Sequence, residues 1–198
     1  FAIPLEQTQA LCRAFDATLV EDAAQAFGAT WRGIPAGALG AVSVLSFGRG
    51  KGIGGGGGGA VLGELPTSAA LREVRLAASG EWAGELTVLA RSIIVQAINR
   101  PSVYALPSAI PSLKLGEMVY HRAHAPREIG RAAAALARSG LARMRDGAVD
   151  RAQRAQRLVT AARQGNRCTP IAPHADGVAT WLRAPMLLRD GSVPPSAL

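Results

Sequence analysis

AVSVLSFGRGKGIGGGGGGAVLGEL, residues 41–65, is the stretch on which the fold turns. Its apolar ends, AVSVLSF and AVLGEL, have the β-branched and aliphatic density of buried strands. Between them a lysine stands among glycines, just ahead of six glycines in a row. The chain has 20 Arg and only two Lys, Lys51 and Lys114, so where it needs only positive charge it nearly always uses Arg. Lys51 is therefore expected to serve through its amine, which condenses with aldehydes and shifts its pKa readily, whereas a guanidinium does neither.

Outward from this stretch the chain alternates helix and strand signals. LEQTQALCRAF (5–15) behind Pro4 predicts a short helix with Leu11 and Phe15 one turn apart on an apolar face. ATLVED (17–22) predicts a buried strand ending in two carboxylates, and ATWRGIPAGALG (29–40) a turn-rich link. Strands of this kind favour a mostly parallel sheet covered on both faces. TSAALREVRLAAS (67–79) and GELTVLARSIIVQAIN (84–99) predict helices, and the Pro-rich RPSVYALPSAIPSLKLGE (100–117) predicts a domain boundary. Beyond it PREIGRAAAALARSGLARM (126–144) and AVDRAQRAQRLVTAARQ (148–164) predict helices, and GVATWLRAPMLLRD (177–190) strands split by Pro185.

With 198 residues, 48% of them hydrophobic and 18% charged, the composition is globular and large enough for a sizeable core. The net charge of +8 would suit nucleic acid, an acidic membrane or a phosphorylated ligand. Much of it lies between Arg122 and Arg167, where Arg151, Arg154 and Arg157 recur at helical spacing and predict a solvated helix face. GRGKG has no interleaved aromatics, which argues against an Arg/Gly-rich RNA-binding segment but leaves it as an alternative. Cys12 and Cys168 predict reduced thiols and a cytoplasmic setting, and His121, His124 and His174 make no zinc motif. ELTVLARSIIVQAI is too short and too charged at Arg91 to cross a bilayer, and the start at Phe1 suggests a soluble protein whose true amino terminus is missing.

A P-loop would need Gly at Leu45 and Ser or Thr at Gly52, and has neither. Gly50 to Gly55 formally matches GxGxxG, but six glycines cannot open the helix that fingerprint requires. A Schiff-base lysine remains, and a pyridoxal phosphate site also needs an acid beside the pyridine nitrogen and donors for the phosphate. Asp22 and Ser46, each closing a predicted strand, stand where parallel strands present their carboxyl ends to a ligand.

The segments VEDAAQAFGA (20–29) and SFGRGK (46–51), with GGGGAVL after them, resemble the DegT/DnrJ-type sugar aminotransferases, pyridoxal-phosphate enzymes of fold type I. In that family an E-D-A-A-Q-x-x-G segment and an S-F-x-x-x-K segment occur in this order at about this separation, here 29 residues from Asp22 to Lys51. The resemblance implies that Lys51 holds the cofactor, Asp22 pairs with the pyridinium nitrogen, Gln25 contacts the ring's 3-oxygen side and Ser46 binds the phosphate. It implies a transaminase rather than the family's dehydratase branch, acting on a keto sugar nucleotide with an amino acid, glutamate being the expected donor, in a cytoplasmic homodimer. Gly48 stands where family members commonly have His, and YHRAHAPREIG (120–130) lacks the Asn of a phosphate loop. Arg49 is a further candidate contact.

The expected fold is an incomplete three-layer α/β/α large domain of the aspartate-aminotransferase type over residues 1–110. A mainly helical α+β small domain, also incomplete, is expected over residues 111–198. The alternative is a catalytically idle, truncated remnant of such an enzyme.

Overall fold

The computed structural model describes residues 5–48, 50–63, 82–98, 103, 127–165 and 167–189. The predicted helix over residues 67–79, most of the Pro-rich passage, Arg49, Lys114, His121 and His124 lie outside the described residues.

The sheet that carries the two motifs has three strands. β1 (Val20–Asp22) runs parallel to β4 (Val42–Ser46), with Val20 opposite Val42 and Asp22 opposite Val44. β5 (Gly59–Gly63) returns antiparallel on the other side of β4, with Ser46 opposite Gly59, so the order is β1-β4-β5. Among the described residues the expected parallel pairing holds for β1 and β4 alone. A parallel return needs a crossover of about a dozen residues or more, usually helical, and the glycine-rich link over residues 47–58 makes none. Alternation along β4 buries Ser43 and Leu45 while Val44 stays exposed, so one face of the sheet meets the core.

ATWRGIPAGALG holds more structure than a link. β2 (Thr30–Trp31) and β3 (Ile34–Pro35) form a hairpin closed by Arg32 and Gly33, with φ of 46° and 83°. Positive φ at both loop residues makes the two-residue turn whose twist matches that of paired strands. β7 (Gly177–Val178) adds antiparallel to β2, bringing the distant carboxyl-terminal part of the chain onto this hairpin. β6 (Cys168–Pro170) pairs with β8 (Met186–Leu188), on the far side of the expected break at Pro185. Cys12 and Cys168 are free thiols, both half-buried.

Helix α1 (Leu5–Ala14) buries Leu5, but Leu11 and Phe15 are 60% and 77% exposed rather than facing the core. The helix is held through its first turn instead, where Glu6 accepts from the Trp31 indole at 3.1 Å and pairs with Arg32 at 2.6 Å. Arg32 also bonds Asp176 at 2.9 Å, so one guanidinium joins α1, the hairpin and the turn before β7. Trp31, 1% exposed, packs at 4.8 Å against the His174 ring.

Glu6's own backbone amide, then the Trp31 indole, and more weakly the Arg32 charge, hold its carboxyl below the ordinary carboxylate value. A depressed folded-state pKa contributes stability that is present above the unfolded value and lost as pH falls through the folded one. We therefore expect Glu6→Gln to lower the urea midpoint at pH 6, and this difference from the parent chain to shrink as the pH falls through 4.5, the ordinary value, and to vanish only below the depressed folded-state value. A difference that persists undiminished in acid would show that Glu6 acts by packing alone.

Three helices complete the described structure: α2 (Trp82–Ile98), α3 (Arg131–Ala142) and α4 (Met144–Gln164). Glu85 of α2 caps the first turn of α3, accepting from the Arg131 and Ala132 amides at 2.9 and 2.6 Å. Those amides lack intrahelical partners, and a carboxylate there also meets the positive end of the helix dipole. Arg154 and Arg157 are exposed as expected, but Arg151 turns inward and donates through Nε to the Thr180 carbonyl at 2.9 Å. No helix among the described residues is long and apolar enough to cross a membrane.

Candidate cofactor site

Asp22 and Ser46 close the parallel strands β1 and β4, so both side chains stand at the carboxyl edge of the sheet. Beyond Asp22 the chain turns sharply: the Asp22 carboxylate accepts from the Ala24 amide at 3.0 Å, and the Ala23 amide donates to the Val44 carbonyl at 2.9 Å. An aspartate bonding the backbone two residues on is a standard turn-former, and here it fixes where the carboxylate sits. Its neighbour Glu21 has a different task, accepting from the Gly37 and Leu39 amides and the Ser43 hydroxyl, each at 2.9 Å. One carboxylate of the strand-end pair thus holds the scaffold while the other is exposed at the strand end.

Beyond Ser46 the loop closes on itself. The Phe47 amide donates to the Gly58 carbonyl at 2.9 Å, the Gly55 amide to the Phe47 carbonyl at 2.7 Å, and the Lys51 amide to the Gly48 carbonyl at 3.3 Å. Lys51 is half-buried, and two residues on Ile53 is 1% exposed and anchors the loop against Gly140 of α3.

The glycine run has two separate physical reasons. Gly56, Gly57 and Gly58 have φ of 73°, 150° and 78°, a region costly to residues with a Cβ. Gly55 lies so close to its neighbours that a Cβ would sit 2.8 Å from Phe47 Cβ and 3.1 Å from Ala137 Cβ. The glycines therefore let the loop both turn and press onto α3.

The two motifs meet through Gly52. A Cβ there would stand 3.2 Å from the Phe27 carbonyl oxygen, so the Lys51 loop rests on the turn that follows Asp22. The structure thus brings Asp22, Ser46 and the Lys51 backbone to one edge of the sheet. A carboxylate, a hydroxyl and a half-buried primary amine are the donor set that pyridoxal phosphate requires: an acid for the ring nitrogen, a phosphate donor and an amine for the aldehyde carbon. The residues present fit the group.

Gln25 follows on the same turn, is exposed, and lines a cleft of about 180 Å³ with Thr180, Trp181 and Arg183. The sequence reading missed Thr180 and Arg183. Their only signal was chain-order proximity to a strand, because the pairing of β7 with β2 that carries them to Gln25 spans most of the chain. Of the tryptophans, Trp31 is core, Trp181 is half-buried and Trp82 is 75% exposed.

Residues 2–78 match the model of the DegT/DnrJ/EryC1/StrS aminotransferase family. No curated protein matches the chain.

Among solved structures, the chain is similar to a DegT DnrJ EryC1 StrS aminotransferase from Brucella abortus at 19% identity, with a TM-score of 0.63, covering 94% of this chain and 41% of that one. It is similar to DesI, solved in the presence of its TDP-sugar product, at 17% identity and a TM-score of 0.64, covering 94% and 39%. It is also similar to S. venezuelae DesV, solved in complex with a ketimine intermediate, at 20% identity and a TM-score of 0.62, covering 96% and 42%. At these identities the likeness is one of fold. The chain spans about two-fifths of the length of these structures.

Proposed function

We propose that the chain is the lysine-bearing part of a pyridoxal-phosphate-dependent aminotransferase that transfers an amino group from an amino acid, glutamate being the expected donor, to a keto sugar on a nucleotide carrier. The observation that carries this reading is the meeting of the Asp22 turn and the Lys51 loop at the carboxyl edge of β1 and β4. The family match over residues 2–78 covers both motifs. In this reading residues 1–110 belong to the large domain and 111–198 to the small one, and the enzyme works as a cytoplasmic homodimer in sugar or polysaccharide biosynthesis.

The cofactor, when bound, supplies an electron sink for a carbanion at the donor's α carbon. The Lys51 amine would hold the cofactor at its aldehyde carbon and would take up the proton from the donor's α carbon. Asp22 would present a carboxylate to the ring nitrogen and keep its proton there. The Ser46 hydroxyl would donate to the phosphate, and Gln25 would contact the ring's 3-oxygen side.

The test is a titration of the purified full chain with pyridoxal phosphate, followed by visible absorption. A saturable band distinct from that of free pyridoxal phosphate is expected. Its absence at saturating cofactor would set aside the aminotransferase reading for this chain and promote that of an idle remnant.

A further inference from the structure

Between Lys51 and Ala60 the chain is glycine except for Ile53. The loop meets α3 step by step: Ile53 at Gly140, Gly55 at Ala137 and Gly56 at Leu136. Only Ile53 brings a side chain to this seam, and it is 1% exposed. It sits where α3 has none, since a Cβ at Gly140 would stand 2.8 Å from Ile53 Cγ2, with the Gly54 amide nitrogen next at 3.7 Å. Glycine is the poorest helix former short of proline, so Gly140 works against its own helix. A residue that breaks a local rule points to a demand from elsewhere in the fold, and here the demand is room for Ile53.

An added Cβ at Gly140 would have to retreat from 2.8 to 3.4 Å, about 0.6 Å, before the contact became ordinary. Ile53 has little freedom to turn aside, being buried and β-branched, with a stiff χ1. Helix α3 is firm, with Ala133 and Ala137 buried and its first turn capped by Glu85. The loop backbone is the softer partner. Among the described residues the amides of Gly52, Ile53 and Gly54 have no backbone partner, whereas those of Lys51 and Gly55 bond the Gly48 and Phe47 carbonyls. Lys51 lies two residues from Ile53, so a displaced Ile53 carries the lysine backbone with it. Functional groups must be held within about 0.5 Å of their productive geometry, so a shift of this size is enough to matter.

We propose that the contact between Ile53 and Gly140 sets the position of the Lys51 amine: Ile53 is a positioning residue for that lysine, and Gly140 is the notch in α3 that admits it. In the domain division proposed above, a helix of the small domain thereby sets the lysine of the large one. What the amine does rests on the aminotransferase reading, but its placement by α3 does not need cofactor.

The experiment compares the full chain with Gly140→Ala, Ile53→Leu and the double variant. Leucine keeps the volume of isoleucine and removes the Cβ methyl that Gly140→Ala would strike. The amines are labelled without cofactor by reductive methylation with isotope-labelled formaldehyde and read by NMR. Lys51 and Lys114 are the only lysines, and the Lys51 signal is assigned by its loss in Lys51→Arg. In Gly140→Ala the Lys51 signal is expected to shift while that of Lys114 stays, and in the double variant to return to its position in Ile53→Leu. In unlabelled samples Gly140→Ala is expected to weaken pyridoxal phosphate binding by about tenfold, and the double variant to recover most of the loss. An unmoved Lys51 signal in Gly140→Ala would overturn the proposal, as would a shift that Ile53→Leu does not reverse. So would a melting temperature that falls in Gly140→Ala and stays low in the double variant, because the contact would then serve the fold alone. A Lys51 signal that moves and is restored, in a chain that takes up no cofactor, sinks only the aminotransferase reading. Cofactor uptake with a Lys51 signal blind to Gly140→Ala sinks only this one.

Discussion

Lys51→Arg is expected to abolish cofactor attachment altogether while leaving the stability of the chain within about 0.5 kcal/mol of the parent. The substitution keeps the positive charge in a half-buried loop and removes only the primary amine. A role in charge balance or packing would survive it, because the loop is held by its own backbone bonds and by Ile53. A role in bonding an aldehyde carbon cannot, since a guanidinium stays protonated and does not condense. The measurement pairs visible absorption on titration with pyridoxal phosphate and the urea midpoint. Retention of the band in the arginine variant would remove Lys51 from the chemistry.

Glu21→Ala has the largest expected effect on stability. Its carboxylate accepts from the Gly37 and Leu39 amides and from the Ser43 hydroxyl, and Ser43 is only 1% exposed. Truncation strands these donors, and a buried donor left without a partner costs about 1–3 kcal/mol. The amides are nearer solvent than the hydroxyl and regain water in part, so the total is expected on the order of 3 kcal/mol. Denaturant unfolding should show a lower midpoint at an unchanged slope. The contrast with Asp22, one residue further, is the informative part. Asp22 is exposed and, among the described residues, bonds the Ala24 amide alone, so Asp22→Ala should weaken cofactor binding far more than it weakens the fold. A Glu21→Ala midpoint shift worth less than about 0.5 kcal/mol would mean that water replaces the carboxylate.

What could be read from the sequence divides by the range of the interactions. The β1 and β4 strands, helices α2 to α4 and the lysine loop announce themselves through local periodicity and glycine content and appear where expected, although β1 spans only Val20–Asp22 and leaves Val20 60% exposed rather than buried. The antiparallel return of β5 was not evident, because AVLGEL is as apolar as a parallel strand and only the missing crossover helix sets its direction. The hairpin at Trp31 was read as turn because its strands are two residues each, below the length at which alternation shows.

The least legible features depend on residues far apart in the chain. Arg151 looked like one of three arginines on a solvated helix face, yet it serves the Thr180 carbonyl. Arg183 carried no motif and becomes notable only when β7 joins β2 beside Gln25. The six glycines in a row mark a tight bend by composition alone. Their positive φ values agree with a bend, but the tightest contact belongs to Gly59, where a Cβ would fall on the Leu45 carbonyl oxygen across the β4–β5 pair, and Gly55 is close-packed against Phe47 and α3, which only the packed structure reveals.

The most direct test of the central claim uses the scarcity of lysine, since Lys51 and Lys114 are the only two in the chain. The full chain is loaded with pyridoxal phosphate, reduced with borohydride to fix the cofactor irreversibly, digested, and its peptides are weighed by mass spectrometry. The account predicts the added mass on the peptide containing Lys51 and none on that containing Lys114. Label on Lys114 or on the amino terminus, with Lys51 unmodified, would contradict it.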